Sequence, residues 1–285
     1  MIDLQNLGFG YGHAKAPLFQ NLNLHVPPGT LCGVLGVNGA GKSTLLKLLA
    51  GLIFPGKGSC DVLGYRPRDR LPEFLADIFL LPEEIFVPPV TPATYAHRYG
   101  ELYPRFDSQA YARLLGDFGL PTDRKVTAFS HGQKKKFLLA FGIATNARLL
   151  IMDEPTNGLD IPGKSQFRRA LINHFAADRS ILISTHQVHD LQGLIDSVIV
   201  IADGQILLNS TLDALTARLQ VQVEARLPDD ALYAHETIEG YRVIRENTSG
   251  IEAELDLETL FGFATSASDR LRQVLSGSSP VGGNP

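Results

Sequence analysis

Cysteine is scarce in this sequence of 285 residues, neither sign of charge dominates, and no apolar run is long. The two cysteines, Cys32 inside an apolar stretch and Cys60 after a Gly-Ser turn, lack metal-type spacing, so both are expected as reduced thiols, buried or half-buried. Lys and Arg total 26 against 30 Asp and Glu, a net charge of −4, which leaves no basic field to recruit nucleic acid or anionic lipid. Nucleic acid is therefore not an expected partner. No stretch approaches about 18 uninterrupted apolar residues, and Met1-Ile2-Asp3-Leu4-Gln5 carries no basic segment leading into an apolar one. A cytoplasmic protein is expected, attached to a membrane only through a partner. What the sequence does have is 44% apolar residues, enough for one large domain and a small appendage.

The stretch around which the rest is organised is Gly36-Val37-Asn38-Gly39-Ala40-Gly41-Lys42-Ser43-Thr44, set between the apolar runs Leu31-Cys32-Gly33-Val34-Leu35 and Leu45-Leu46-Lys47-Leu48-Leu49-Ala50. That order reads strand, glycine loop, helix. Glycines let backbone N–H groups converge on phosphate oxygens, and the helix beginning near Lys42 adds the positive end of its dipole. Lys42 is expected to bridge the β- and γ-phosphates of a nucleoside triphosphate, and Ser43 to ligate Mg²⁺.

Strand-like alternation over 2–26 leads into this loop, and Gly51 stands where a helix over 42–50 would close. Ile78-Phe79-Leu80-Leu81 reads as a buried strand closed by Pro82. Thr91 as N-cap with Pro92 at N1 opens a helix to Leu102, a second is predicted over 108–118, and a third begins at the Ser130-His131-Gly132 turn. Leu149-Leu150-Ile151-Met152-Asp153-Glu154 is an apolar run ending in two carboxylates, the pattern of a strand covered on both faces in a parallel sheet. A helix over 162–177, a strand over 181–184, a short helix over 188–194, strands over 197–202 and 205–209 and a last helix over 211–219 complete the pattern. Residues 221–225 and 251–257 alternate, with helices over 257–263 and 269–275. The expected fold is α/β: a P-loop NTPase core with a mixed sheet over 1–219, an α-helical insertion over about 91–146, a small C-terminal α+β appendage over 220–275 and a disordered tail over 276–285.

Two acids at a strand end can divide labour, Asp153 serving Mg²⁺ and Glu154 holding the attacking water as general base, because phosphoryl transfer to water needs clamps, a metal and a water-orienting group. His186 follows another strand end, where ligands bind in open α/β sheets. Tyr11, in Gly8-Phe9-Gly10-Tyr11-Gly12, offers a ring that could stack on a purine or serve as an ordinary strand aromatic.

Over about residues 2–215 these motifs resemble the ATP-binding cassette ATPases, the motor subunits of membrane transporters. The resemblance implies phosphate contacts from Gly36 to Thr44, adenine stacking by Tyr11, metal and base roles for Asp153 and Glu154, and a γ-phosphate contact from His186. Asn157-Gly158-Leu159-Asp160 looks like the loop whose aspartate communicates between the two sites of a dimer. Phe129-Ser130-His131-Gly132-Gln133 resembles the signature pentapeptide Leu-Ser-Gly-Gly-Gln that closes over the ATP of the opposite subunit; it keeps Ser130, Gly132 and Gln133 but puts His131 where glycine allows close approach. Lys134-Lys135-Lys136 follows at a helix N-terminus, where cations oppose the dipole, so either a facing triphosphate or a solvated face accounts for it. Glu83 stands where the family usually has a metal-contacting glutamine, although some exporter-type members carry glutamate.

The resemblance thus implies an ATPase subunit of a bacterial-type transporter, in particular an exporter, binding ATP and Mg²⁺ in a head-to-tail dimer with a second copy and docked on a membrane-spanning subunit at the inner face of the cell membrane. Neither the long coiled-coil interruption of the chromosome-maintenance members nor the paired cassettes and basic linker of the ribosome-associated members is present. A nucleotide-sensing regulatory module with weak hydrolysis stays open on Glu83 and His131. The apolar Ile85-Phe86-Val87-Pro88-Pro89-Val90 would be costly to leave in water at about 25 cal/mol per Å², so it either packs on the helices of 92–144 or receives a short helix of the membrane subunit.

Overall fold

The computed structural model of the chain describes residues 1–12, 16–248 and 255–276. β1 (Ile2–Phe9) pairs antiparallel with β2 (Phe19–Val26), whose buried and exposed positions alternate because one face meets solvent. β3 (Leu31–Leu35) is buried at every position and runs through the glycine loop into α1 (Lys42–Leu49). β4 (Lys57–Val62) returns to the free edge of β1, completing an antiparallel sheet in the order β2-β1-β4. α2 (Pro72–Ala76) and β5 (Ile78–Leu81) lead to the helical insertion, which comprises α3 (Pro92–Gly100), α4 (Ser108–Asp117) and α5 (His131–Ala144).

Each of those helices starts where a side chain takes over an orphan amide. Thr91 accepts from the Thr94 N–H before α3, and Asp107 accepts from the Gln109 and Ala110 N–H groups, both at 2.9 Å, before α4. Ser130 and Gln133 form a reciprocal capping box at the start of α5. Phe141 on α5 then anchors the insertion to the sheet, with ring centroids 5.8 Å from Phe79, 4.9 Å from Tyr95 and 5.3 Å from Phe106.

β6 (Leu149–Asp153), α6 (Ile161–His174), β7 (Ser180–Thr185), β8 (Ser197–Ala202), β9 (Gln205–Thr211) and α7 (Leu212–Thr216) complete the central part. The six-stranded sheet has the order β5-β6-β7-β3-β8-β9, parallel except for the β8–β9 hairpin. One face of it packs with α1 against the antiparallel sheet, and the other against the insertion, α6 and the C-terminal elements. This is the α/β P-loop architecture with a mixed sheet.

After Thr216 the chain turns at once into β10 (Leu219–Glu224), followed by β11 (Tyr233–Thr237), β12 (Gly240–Glu246), α8 (Leu257–Ser266) and α9 (Ser268–Ser276). The helix predicted over 211–219 is thus shorter, because Leu219 already pairs with Glu246 across the appendage sheet. The 188–194 helix is a single tight turn, Val188–Leu191, and α6 stops at His174. The strand expected over 251–257 falls largely on 251–254, outside the described residues, as do residues 277–285 of the tail; Ser276 ends α9.

Candidate functional site

The parallel strands deliver the predicted groups to one place. The glycine loop follows β3, Glu83 follows β5, Glu154 follows β6 and His186 follows β7, all at carboxyl ends, where backbone and helix dipoles of an open parallel sheet meet a ligand. A cleft of about 870 Å³ lies there, lined by Tyr11, Asn38, Gly39, Gly41, Lys42, Ser43, Thr44, Glu83, Glu154, Asn157, His186 and Asp203 among others.

α1 has no capping side chain and no acid in its first turn; its N-cap is Gly41, at φ 110°, a value open only to glycine. A Cβ on Gly41 would also strike the Phe19 ring at 2.7 Å, whereas at Gly39 it would meet nothing. The helix therefore presents bare N–H groups and a dipole end to the cleft, a fit for phosphate. Lys42, 6% exposed, donates from Nζ to the Gly36 carbonyl at 2.7 Å and the Val37 carbonyl at 3.2 Å, so its ammonium curls into the loop at the cleft floor.

Glu154 is the most constrained residue of the site. Its φ of 47° is left-handed, which for a non-glycine residue costs of order 1–3 kcal/mol and persists only where neighbours impose it. Its N–H donates to the Ser184 carbonyl and Oγ, both at 3.1 Å, and its carbonyl accepts from Lys135 Nζ at 2.6 Å. Its Oε1 lies 3.0 Å from His186 Nδ1 and 3.5 Å from Lys42 Nζ, while Oε2 is buried without a hydrogen-bond partner. A carboxylate with one oxygen clamped and one unsatisfied, on a residue that lines the cleft, suits accepting a proton or orienting a water. Asp153, one residue back and 4% exposed, accepts from Ser184 Oγ at 2.5 Å.

Among the described residues no group of three or more His, Cys, Asp and Glu could hold a metal by itself. Ser43 and Glu83 line the cleft and Asp153 is buried beside it, hydroxyl and carboxylate oxygens of the chemical kind that Mg²⁺ takes together with phosphate oxygens. Tyr11, half exposed, has its hydroxyl 3.0 Å from Thr44 Oγ1 and its ring edge-on to Phe9, which fixes it beside the phosphate loop.

Gly36, Val37, Ala40 and Asp153 belong to the loop and strand walls rather than the lining, and Ser130, Gly132, Gln133 and Asp160 do not line the cleft. Ser130 and Gln133 are occupied with each other: Ser130 Oγ accepts from the Gln133 N–H at 3.2 Å, and Gln133 Oε1 from the Ser130 N–H at 3.0 Å. Gly132 faces the 157–160 loop so closely that a Cβ would come within 3.3 Å of the Gly158 carbonyl, and the exposed His131 ring lies over Gly158. Asp160 caps α6 through the Gly163 N–H at 2.9 Å and sits 3.8 Å from Lys136 Nζ. The lysine run divides. Lys135 is 2% exposed and turned inward to Glu154, which neither a facing triphosphate nor a solvated face anticipates. Burial holds its ammonium below the usual lysine range, against the pull of Glu83, Glu154 and Asp153.

Sequence reasoning also missed Ser184, the pivot between Asp153 and Glu154, and Asn157 and Asp203 on the cleft wall. None of these three leaves a sequence signal, whereas Lys135 does: it precedes Leu138, Leu139 and Gly142 at helical spacing, hence on the apolar side of α5.

Fold and cleft together define a phosphate-loop ATPase. The profile of the ABC transporter family matches residues 19–157. The lantibiotic transport ATP-binding protein SrtF of Streptococcus pyogenes is 32% identical over 218 residues, covering 75% of this chain and 92% of its own. The bacitracin transport ATP-binding protein BcrA of Bacillus licheniformis is 32% identical over 231 residues, 77% of this chain and 72% of its own. A solved structure of an ATP binding subunit of an ABC transporter superposes with a TM-score of 0.68 at 26% identity, over 75% of this chain and 90% of that one. The chain belongs to the ATP-binding subunits of the ABC transporter family, and its enzymatic class is ATPase.

Proposed function

We propose that this chain binds and hydrolyses ATP to power a membrane transporter, specifically an exporter, as a head-to-tail homodimer holding two ATP molecules at its interface. The observation that carries the catalytic part is Glu154, clamped at Oε1 by His186 and Lys42 and unsatisfied at Oε2 at the cleft floor. Backbone N–H groups of the loop and of the first turn of α1 take the phosphates, Lys42 swings from the Gly36 and Val37 carbonyls to the β- and γ-phosphates, and Tyr11 flanks the base. Glu154 accepts the proton of the attacking water, and His186 orients Glu154 and contacts the γ-phosphate. Ser43, Asp153 and Glu83 would hold Mg²⁺, which would supply neutralisation of phosphate charge there.

The second copy is supported by Ser130, Gly132 and Gln133, groups of the signature pattern that do not line the cleft of their own chain, and by Asp160 in the loop read as communicating between the two sites. A membrane-spanning partner is supported by Phe86, 88% exposed beside Glu83, and by relatives named for lantibiotic and bacitracin transport. Among the described residues no helix is long and apolar enough to cross a membrane, so the partner would supply the crossing and hold this chain at the inner face. Outward transport rests on Glu83. Steady-state phosphate release by the purified protein, with Mg²⁺ and with EDTA, is the test: Mg²⁺-dependent turnover is expected, while tight ATP binding without turnover would favour the nucleotide-sensing module.

A further inference from the structure

Lys135 is spent on a task that packing alone does not require. It is 2% exposed in a helix whose other buried positions are apolar or small, and its one hydrogen bond among the described residues runs to the carbonyl of Glu154. An ammonium is expensive to bury, and a methionine of similar length would fill the same space without that cost. The bond falls on the peptide that must be held for Glu154 to keep its left-handed φ, opposite the grip of Ser184 on the N–H of the same residue. The Asn157 N–H also donates to that carbonyl, at 3.2 Å, so Lys135 and Asn157 together hold the peptide after Glu154 as Ser184 holds the one before it, and these grips set where the carboxylate points.

We propose that Lys135 is a positioning residue for hydrolysis: it fixes the Glu154 backbone, and because it rides on the helix that Ser130 and Gln133 open, it ties the placement of the base to engagement of that helix tip by the second copy's triphosphate. α5 is continuous from His131 to Ala144, so a displacement at the tip reaches Lys135 about 7 Å along the axis as a rigid shift. Nothing intervenes between Nζ and the Glu154 carbonyl. The inference rests on the reading of Glu154 as the base.

The test uses full-length Lys135→Met and Lys135→Arg, measuring ATP affinity without turnover, kcat, KM and thermal midpoint. Lys135→Met is expected to lower kcat about tenfold or more, with ATP affinity and KM within about twofold of the parent, because only the base is misplaced. Its thermal midpoint should hold or rise, since a buried charge is gone. Lys135→Arg, which keeps a cationic donor, should recover much of kcat. A purely structural lysine would show the opposite: a lower midpoint with turnover per folded molecule unchanged. That result overturns the proposal, as does a kcat loss matched by an equal loss of ATP affinity. Should Lys135→Met not fold, Lys135→Gln, with a neutral donor, carries the same readouts. Glu154→Gln measured alongside separates the two layers: full turnover there overturns the reading of Glu154, whereas turnover lost there and kept in Lys135→Met overturns Lys135 alone.

Discussion

At the residue scale, the site is a contest for one carboxylate. Lys42 and His186 both hold Glu154 Oε1, so replacing Glu154 by the isosteric Gln keeps the shape of the cleft while removing the proton acceptor and the charge opposite Lys42. Glu154→Gln is therefore predicted to bind ATP and to lower hydrolysis by about 10²- to 10⁴-fold, the usual contribution of a general base. With hydrolysis stopped, ATP should hold two copies together, and size exclusion with ATP should show a dimer; a monomer with normal turnover would disprove the assignment. Lys42→Ala, which removes the loop's cation, should instead lose ATP binding itself, measured by equilibrium titration. Residues contiguous in the chain were legible because the phosphate loop and the acids after an apolar run are local patterns. Ser184 was not, since its bonds to Asp153 and Glu154 exist only once β7 lies beside β6. The signal for Lys135 lay in helix periodicity, masked by the lysines on either side.

At the scale of elements, some caps were legible and the appendage strands were read poorly. Thr91 and Gly51 stand where helix chemistry placed them, because a cap depends on a few neighbouring residues, whereas Asp107, Ser130 and Asp160 show themselves as caps only in the structure. β11 has no alternation of buried and exposed positions to detect, and its turn to β12 passes through the fully exposed Ile238. Asp107 gives an independent check on an element: Asp107→Ala frees the Gln109 and Ala110 N–H groups and should cost about 1 kcal/mol, seen as a small drop in thermal midpoint with ATP turnover unchanged. The apolar loop after Glu83 packs on the core only in part. Val87 is buried at 6% exposure and Ile85 and Val90 lean on the core, while Phe86 points out. Val87→Asp should thus destabilise the fold, because it buries an unpaired charge. Phe86→Asp should leave the melt and the isolated ATPase activity as they were and weaken capture of the membrane-spanning partner. Loss of stability with capture unaffected would make Phe86 part of the fold and leave the docking surface elsewhere.

At the scale of the whole molecule, the appendage and the cassette share one core. Leu219, Ile244, Leu255, Leu257, Leu260, Phe263 and Leu271 are buried in the same cluster as Leu191, Val198, Val200, Leu208 and Leu215 of the cassette. The join is polar as well: the Gln192 side chain donates to the Leu255 carbonyl and accepts from the Leu257 N–H, and His189 Nε2 lies 2.8 Å from Glu258. Both residues belong to the segment that follows His186, so α8 braces that segment from outside. A cut after Leu219 leaves the phosphate loop and β6 intact but uncovers the apolar side of β8 and β9. With each large apolar side chain worth about 1.5–3 kcal/mol when buried, losing several exceeds the stability margin of an ordinary domain. The prediction is that the 1–219 fragment aggregates or melts far below the full chain. Phe263→Ala in the full chain, at about 3–5 kcal/mol, should weaken the same seam without removing it, lowering the thermal midpoint while ATP affinity of the still-folded fraction stays at the parent value. A 1–219 fragment that is soluble, melts with the parent and binds ATP would show that the cassette closes its core without α8, and that the boundary after Leu219 divides two self-sufficient units.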